Sequence, residues 1–293
     1  MKLDLKPAFQ RLRSLDGASL WLLLAGCLVA QSLLLSLLAE DPNQFVSLAL
    51  AWYGAFLVCK APLPMASREM RPTPLGASLG CLLLLGVQWR VHLIAGDDLS
   101  IYLLPLLSLL GLLFVAFPVR ALRPFLPSVL ILALLPILQI VNFSNPVTTF
   151  LTRTTAAILR VALFLLGFPA KGSGSVVTLY RGGVEVWGPC SGMESIKQLL
   201  LIAIVFAIAF PMLRYWQNIL MCGVAISLAV LINVVRIALL LFLDGSAIAG
   251  RKYWFELFHT GWPSLFFPGL ATYLFVCLYL LWMERQVAGL QDS

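Results

Sequence analysis

The stretch Pro189-Cys190-Ser191-Gly192-Met193-Glu194 opens directly into an apolar run. A cysteine at a helix N-terminus sits where the helix dipole favours a thiolate, the form of the side chain that attacks carbonyls. Ser191 is a good N-cap, Gly192 permits close backbone approach, and free N–H groups in that first turn suit an oxyanion. Arg236 lies in Asn233-Val234-Val235-Arg236, between the apolar residues 228–232 and 237–243. An arginine at such depth is costly and reads as functional, with snorkelling to the nearer interface as the bland alternative. Asn233 is three residues before it on the same helical face, which turns both polar groups inward. His259 follows in Phe255-Glu256-Leu257-Phe258-His259-Thr260-Gly261-Trp262, a loop before the last apolar run. The chain has 2 histidines, so base candidates are few, and the other, His92, ends the third span. Thiol, imidazole and guanidinium together describe a membrane-embedded cysteine enzyme. Taken singly, each has a plain reading: a small residue at a helix start, a solvated histidine, a snorkelling arginine. Glu194 and Lys197 lie one to two turns inside from Cys190; Lys197 either lowers the thiol pKa or snorkels.

Such residues need a frame. Of 293 residues, 61% are hydrophobic and 11% charged, which excludes an ordinary soluble fold. The expected class is an all-α polytopic membrane protein. Apolar runs at 18–39, 43–62, 74–95, 99–117, 124–142, 193–212, 216–243 and 262–283 read as about eight transmembrane helices. The chain reads as one membrane-embedded domain over 1–293, with N-terminal helices at 18–142 and the part bearing Cys190, Arg236 and His259 at 149–284. Residues 149–167 carry Arg153 and Arg160 seven apart, on one face. A polar stripe opposite Leu151, Ile158, Leu159, Leu165 and Leu166 suits a helix lying in the interface. Between 171 and 189, Val176–Tyr180 and Val184–Trp187 flank Arg181-Gly182-Gly183 and read as a small β-hairpin that would hold Cys190 at the membrane surface.

The net charge of +7 fits the basic bias of cytoplasmic loops and does not point to nucleic acid. With the N-terminus inside and eight crossings, the inner segments hold Lys2, Lys6, Arg11, Arg13, Lys60, Arg68, Arg71, Arg120, Arg123, Arg214 and Arg285. The outer ones gather Glu40, Asp41, Asp97, Asp98 and Asp244. A ninth crossing at 149–167 would flip the later loops. Under either count the segments bearing Cys190 and His259 are two helices apart and share a side. The first apolar run is long enough to span and has no clear cleavage site, so no cleavable signal peptide is expected. Cys27, Cys59, Cys81, Cys222 and Cys277 sit in apolar runs as small hydrophobes, and no Cys/His spacing points to a metal.

Pro-Cys-Ser-Gly opening a helix, Asn-x-x-Arg-Ile in the next helix, and a histidine before a final helix resemble the exosortase/archaeosortase family. The likeness covers about 150–284; the first 140 residues match only as apolar helices. Glu194, in Gly-Met-Glu-Ser, departs from many members and suggests a divergent subgroup, with a cyanobacterial-type exosortase as one candidate. The resemblance implies a cysteine protease or transpeptidase in the cell (inner or plasma) membrane, with its active site on the extracytoplasmic face. Its partners would be membrane lipid and exported proteins bearing a C-terminal sorting signal of the PEP-CTERM kind: a short motif, a transmembrane helix and a basic tail. The family's catalytic residues map to Cys190, Arg236 and His259, with Ser191, Gly192 and Asn233 in support. No cofactor or metal is implied, and oligomeric state is left open. Three other classes compete. A transporter would line an anion path with Arg236, Asn233, Arg153 and Arg160. A non-enzymatic export or assembly factor would tolerate loss of the Cys190 thiol. An acyl or glycosyl transferase would draw on Glu185, Glu194 and Glu256.

Overall fold

The computed structural model describes residues 17–38, 42–59, 72–93, 100–142, 145–179, 182–260 and 262–291. The basic leader, Glu40, Asp41, Lys60, Arg68, Arg71, Asp97, Asp98, Arg181 and Gly261 lie outside them, so most of the charges that argue topology do too. In order come α1 (Gly17–Leu38), α2 (Pro42–Cys59), α3 (Pro74–Val91), α4 (Ser100–Ala116), a 3-10 turn (Val119–Phe125), α5 (Leu126–Asn142) and α6 (Asn145–Leu165). They are followed by β1 (Val176–Leu179), β2 (Gly182–Glu185), a 3-10 turn (Gly188–Cys190), α7 (Met193–Ala209), α8 (Tyr215–Gly245), α9 (Arg251–His259), a 3-10 turn (Trp262–Leu265) and α10 (Phe266–Gln291).

The protein is a multi-pass, all-α membrane protein. Among the described residues, six helices are long and apolar enough to cross: Trp21–Leu38, Pro74–Val91, Val119–Ile140, Pro146–Leu165, Tyr215–Gly245 and Trp262–Ala288. The set differs in membership from the eight apolar runs. α4 and α7, 17 residues each, are about 26 Å long, at the lower limit of what spans a ~30 Å core. α2 starts with Asn43, Gln44 and Ser47, which dilute its hydropathy.

The chain forms two compact units, Met1–Pro136 and Ile137–Ser293. In the first, polar side chains tie apolar helices together. Trp21 Nε1 donates to the Leu112 carbonyl at 3.0 Å, Trp52 Nε1 to Ser32 Oγ at 2.9 Å, and the Gln31 and Gln88 amides exchange two bonds of 2.9 Å. Where lipid tails are as apolar as leucine, such bonds and close packing hold helices together.

In the second unit α8 is the central element, packed by α6, α7, α9, α10 and the hairpin. Its buried cluster joins Ala156, Leu159 and Leu163 of α6 to Val177, Val184 and Val186 around the hairpin, to Cys190, and to Val234, Ile237 and Leu241 of α8. The expected hairpin is present, with Val176 opposite Glu185 and Leu179 opposite Gly182. Its glycines do not form the turn, however. Gly182 and Gly183 lie in β2 because the strand passes against the end of α8, where a Cβ on Gly182 would come within 2.6 Å of the Gly245 amide nitrogen. The Gly183 N–H donates to Asp244 Oδ2 at 3.0 Å and fixes that contact.

α6 also differs in detail from expectation. Its buried face is Thr152, Thr155, Ala156, Leu159 and Leu163, whereas Leu165 and Leu166 are exposed. Arg160 Nη1 donates to the carbonyls of Gly174 and Val176, both at 3.1 Å, so one of the two arginines that argued for an interfacial helix has internal partners.

Candidate active site

Cys190 closes the 3-10 turn that leads from the hairpin toward α7. A left-handed Gly192 (φ 88°) then redirects the chain into α7, for which it is the N-cap. Ser191 is therefore not the N-cap, contrary to expectation. Its hydroxyl donates to the Gly188 carbonyl at 2.6 Å and accepts from the Met193 N–H at 3.3 Å, which braces the turn from one residue earlier. A Cβ on Gly192 would stand 2.9 Å from Asn233 Nδ2, so the close approach read from the sequence is met by α8. Asn233 is 1% exposed, and its Nδ2 donates to the Cys190 carbonyl at 2.9 Å. Thr155, which sequence reasoning passed over, reaches the same turn from α6 and donates to the Ser191 carbonyl at 3.2 Å. The available signal was its place beside Thr152 and Ala156 on one helical face.

His259 is not in a loop but is the last residue of α9. Its Nε2 lies 2.9 Å from Cys190 Sγ. Arg236 sits nine residues before the end of α8, about 14 Å along the axis. Its Nε donates to the Phe258 carbonyl at 3.3 Å and its Nη2 to the His259 carbonyl. The guanidinium thus binds the last carbonyls of α9, which have no intrahelical partner. Three residues from three elements converge as a result, with Asn233 holding the cysteine's backbone and Arg236 the histidine's.

Electrostatics weigh against the thiolate that a helix N-terminus favours. Burial pushes the Cys190 thiol up from its ordinary value, and the opposing pull of Arg236 is the smaller effect. Burial, followed by the Arg236 charge, pushes His259 down, against a smaller upward pull from Glu256. Both shifts favour the uncharged forms, a thiol and a neutral imidazole, over a thiolate–imidazolium pair. The backbone amides of Cys190 and Ser191 are spent on Trp187 and Gly188, and that of Met193 on Ser191 Oγ. Fewer first-turn donors remain than the sequence offered, whereas the Arg236 guanidinium, whose hydrogen bonds among the described residues use Nε and Nη2, acts on the thiol through its charge. Lys197 does not snorkel. It is 4% exposed, and its Nζ meets Glu194 Oε1 at 2.5 Å and donates to Gln139 Oε1 at 2.7 Å. His92 caps the end of α3 in the first unit, and Arg153 is exposed on α6.

A family profile described as transmembrane exosortase matches residues 38–276, more than four-fifths of the chain, a range within which Cys190, Arg236 and His259 lie.

The chain belongs to the transmembrane exosortase family.

Exosortases are a family of cysteine-type transpeptidases, and membership suggests a membrane protein-sorting transpeptidase. No curated protein and no solved structure matches this exosortase.

Proposed function

We propose that this exosortase is a cysteine transpeptidase that cuts a PEP-CTERM-like C-terminal sorting signal from exported proteins at the outer face of the cell membrane. The observation that carries the reading is the 2.9 Å approach of Cys190 Sγ and His259 Nε2, with Arg236 fastened to the backbone of the same histidine. The substrate's transmembrane helix docks from the bilayer, and its scissile peptide reaches Cys190. The thiol proton passes to His259 Nε2 as Sγ bonds to the carbonyl carbon. The resulting oxyanion is stabilised by the Arg236 charge. Collapse breaks the C–N bond, and the imidazolium gives its proton to the leaving amine. A thioester then joins the substrate to Cys190. An acceptor amine or hydroxyl, or water, releases it, and His259 takes the nucleophile's proton.

The test is a reporter ending in a motif, an apolar helix and a basic tail, co-expressed with the full chain. The expected result is a shortened reporter and a hydroxylamine-labile adduct on Cys190. An uncut reporter, across motifs drawn from proteins of the source cell, at normal enzyme levels would count against the reading. Arg236→Lys should slow processing about 100-fold, because a compact ammonium keeps the charge but cannot fork across two carbonyls while facing an oxyanion. Band intensities over time measure it, and a rate within threefold of wild type would remove Arg236 from the machinery.

The anion-path alternative is weakened by the same bonds, since Arg236 and Arg160 spend donors on backbone carbonyls. An assembly factor would have no use for a histidine aimed at a thiol.

A further inference from the structure

His259 has two ring nitrogens, and the cysteine accounts for one. For Nε2 to accept the thiol proton, a neutral imidazole must carry its own proton on Nδ1. The group beside Nδ1 is the carboxylate of Glu256, one turn earlier on α9, with Oε2 at 4.0 Å. Both residues ride on one helix, so their spacing is set by helix geometry rather than by a flexible loop. Among the described residues, the ionisable groups facing this imidazole are Cys190 from the 3-10 turn, Arg236 from α8 and Glu256 from α9 itself. Two of these act on the imidazole in opposite directions. Arg236 disfavours the imidazolium that forms when the thiol gives up its proton, and Glu256 favours it. The Phe255 ring, its centroid 5.4 Å from that of the imidazole, limits how the ring can turn.

We propose that Glu256 is a positioning residue for the Cys190–His259 pair: its carboxylate holds the Nδ1–H tautomer and steadies the imidazolium formed during attack. This rests on reading Cys190 as nucleophile and His259 as base. The proton on Nδ1 stays there throughout, and the transferred proton moves only between Sγ, Nε2 and the leaving or entering group. Glu256 is 69% exposed on its side chain, so water screens it, and its influence is smaller than that of a buried triad carboxylate. Exposure also means that Glu256→Gln, nearly isosteric, removes the charge without disturbing a packed core.

The experiment follows reporter cleavage by full-length enzyme in membrane vesicles, at saturating and limiting reporter, from pH 5 to 9, for wild type, Glu256→Gln and His259→Ala. Glu256→Gln is expected to lower the saturated rate about threefold to tenfold, with little change in the reporter concentration giving half-maximal rate. It should also move the acid limb of the pH profile to lower pH. The sign follows from the base being active when neutral: without the carboxylate the imidazole loses its proton at lower pH. A merely structural role would reduce the amount of enzyme and leave the limb in place. A Glu256→Gln profile that superimposes on wild type, while His259→Ala is impaired, would overturn the role of Glu256 and leave the cysteine–histidine reading standing. Unimpaired His259→Ala would instead sink the underlying pair.

Discussion

Cys190→Ala is expected to abolish reporter processing, by a factor on the order of 10⁴ or more, with enzyme still present in the membrane at close to wild-type amounts. Loss of a covalent nucleophile removes the route itself, so no neighbouring group compensates. The fold should tolerate the change. The side chain lies among Ala156, Leu159, Val186, Val234 and their neighbours, where removing one sulfur costs about 1 kcal/mol. The bonds that shape the turn are made by the Cys190 carbonyl and amide, which alanine keeps. Immunoblots of membranes report enzyme level, and the ratio of cut to uncut reporter gives activity. A processed band at wild-type intensity would eliminate Cys190 as the nucleophile and return weight to the assembly reading. Cys190→Ser should be nearly as inactive, since a hydroxyl at neutral pH is a far weaker nucleophile than a thiol assisted by imidazole.

His259→Ala is expected to slow processing by about 10²–10⁴-fold at neutral pH. Its effect is separable from folding for a structural reason. Arg236 binds the carbonyls of Phe258 and His259, not the imidazole, so alanine preserves that anchor and the end of α9. The pH dependence then carries the diagnosis. In wild type the imidazole assists once it is neutral, and His259 is held below its ordinary value, so activity should level off near neutrality. Without the base, Cys190 must ionise unaided, and burial holds its thiol above the ordinary range. The variant's residual rate should therefore keep rising as pH climbs through the alkaline region, narrowing the gap to wild type. A constant ratio of variant to wild type across pH 6–10 would contradict a general-base role.

Much of the fold class was legible because apolar runs of spanning length have few outcomes other than helices. Hairpin existence was legible from two β-prone runs, yet its turn was misplaced. Gly182 answers to the backbone of Gly245, sixty-three positions away, and no local pattern carries that information. The face of α6 was misjudged for a similar reason. Its buried side is chosen by the hairpin and α8, while in lipid the opposite side is apolar as well, so periodicity alone has little contrast to read.

For the site, residue types and order pointed to Cys190, Arg236, His259 and Asn233, since each is unusual where it stands in an apolar chain. Ser191 has the residue type of an N-cap, but the left-handed Gly192 moves the helix start by one residue. The roles of the neighbours needed three dimensions. Lys197 turns to Glu194 and Gln139, Thr155 braces the cysteine's turn, and Glu256 faces the far nitrogen of the imidazole.

By itself the sequence determined that this is a polytopic helical membrane protein carrying a thiol, a guanidinium and an imidazole in exosortase order. Composition and motif are properties of the chain. Only the tertiary structure decided that the thiol lies buried 2.9 Å from Nε2 and that Arg236 holds the histidine's own helix end. Both depend on burial and on contacts between residues 69 and 23 positions apart. Desolvation and hydrogen-bond geometry exist only once those segments have packed together.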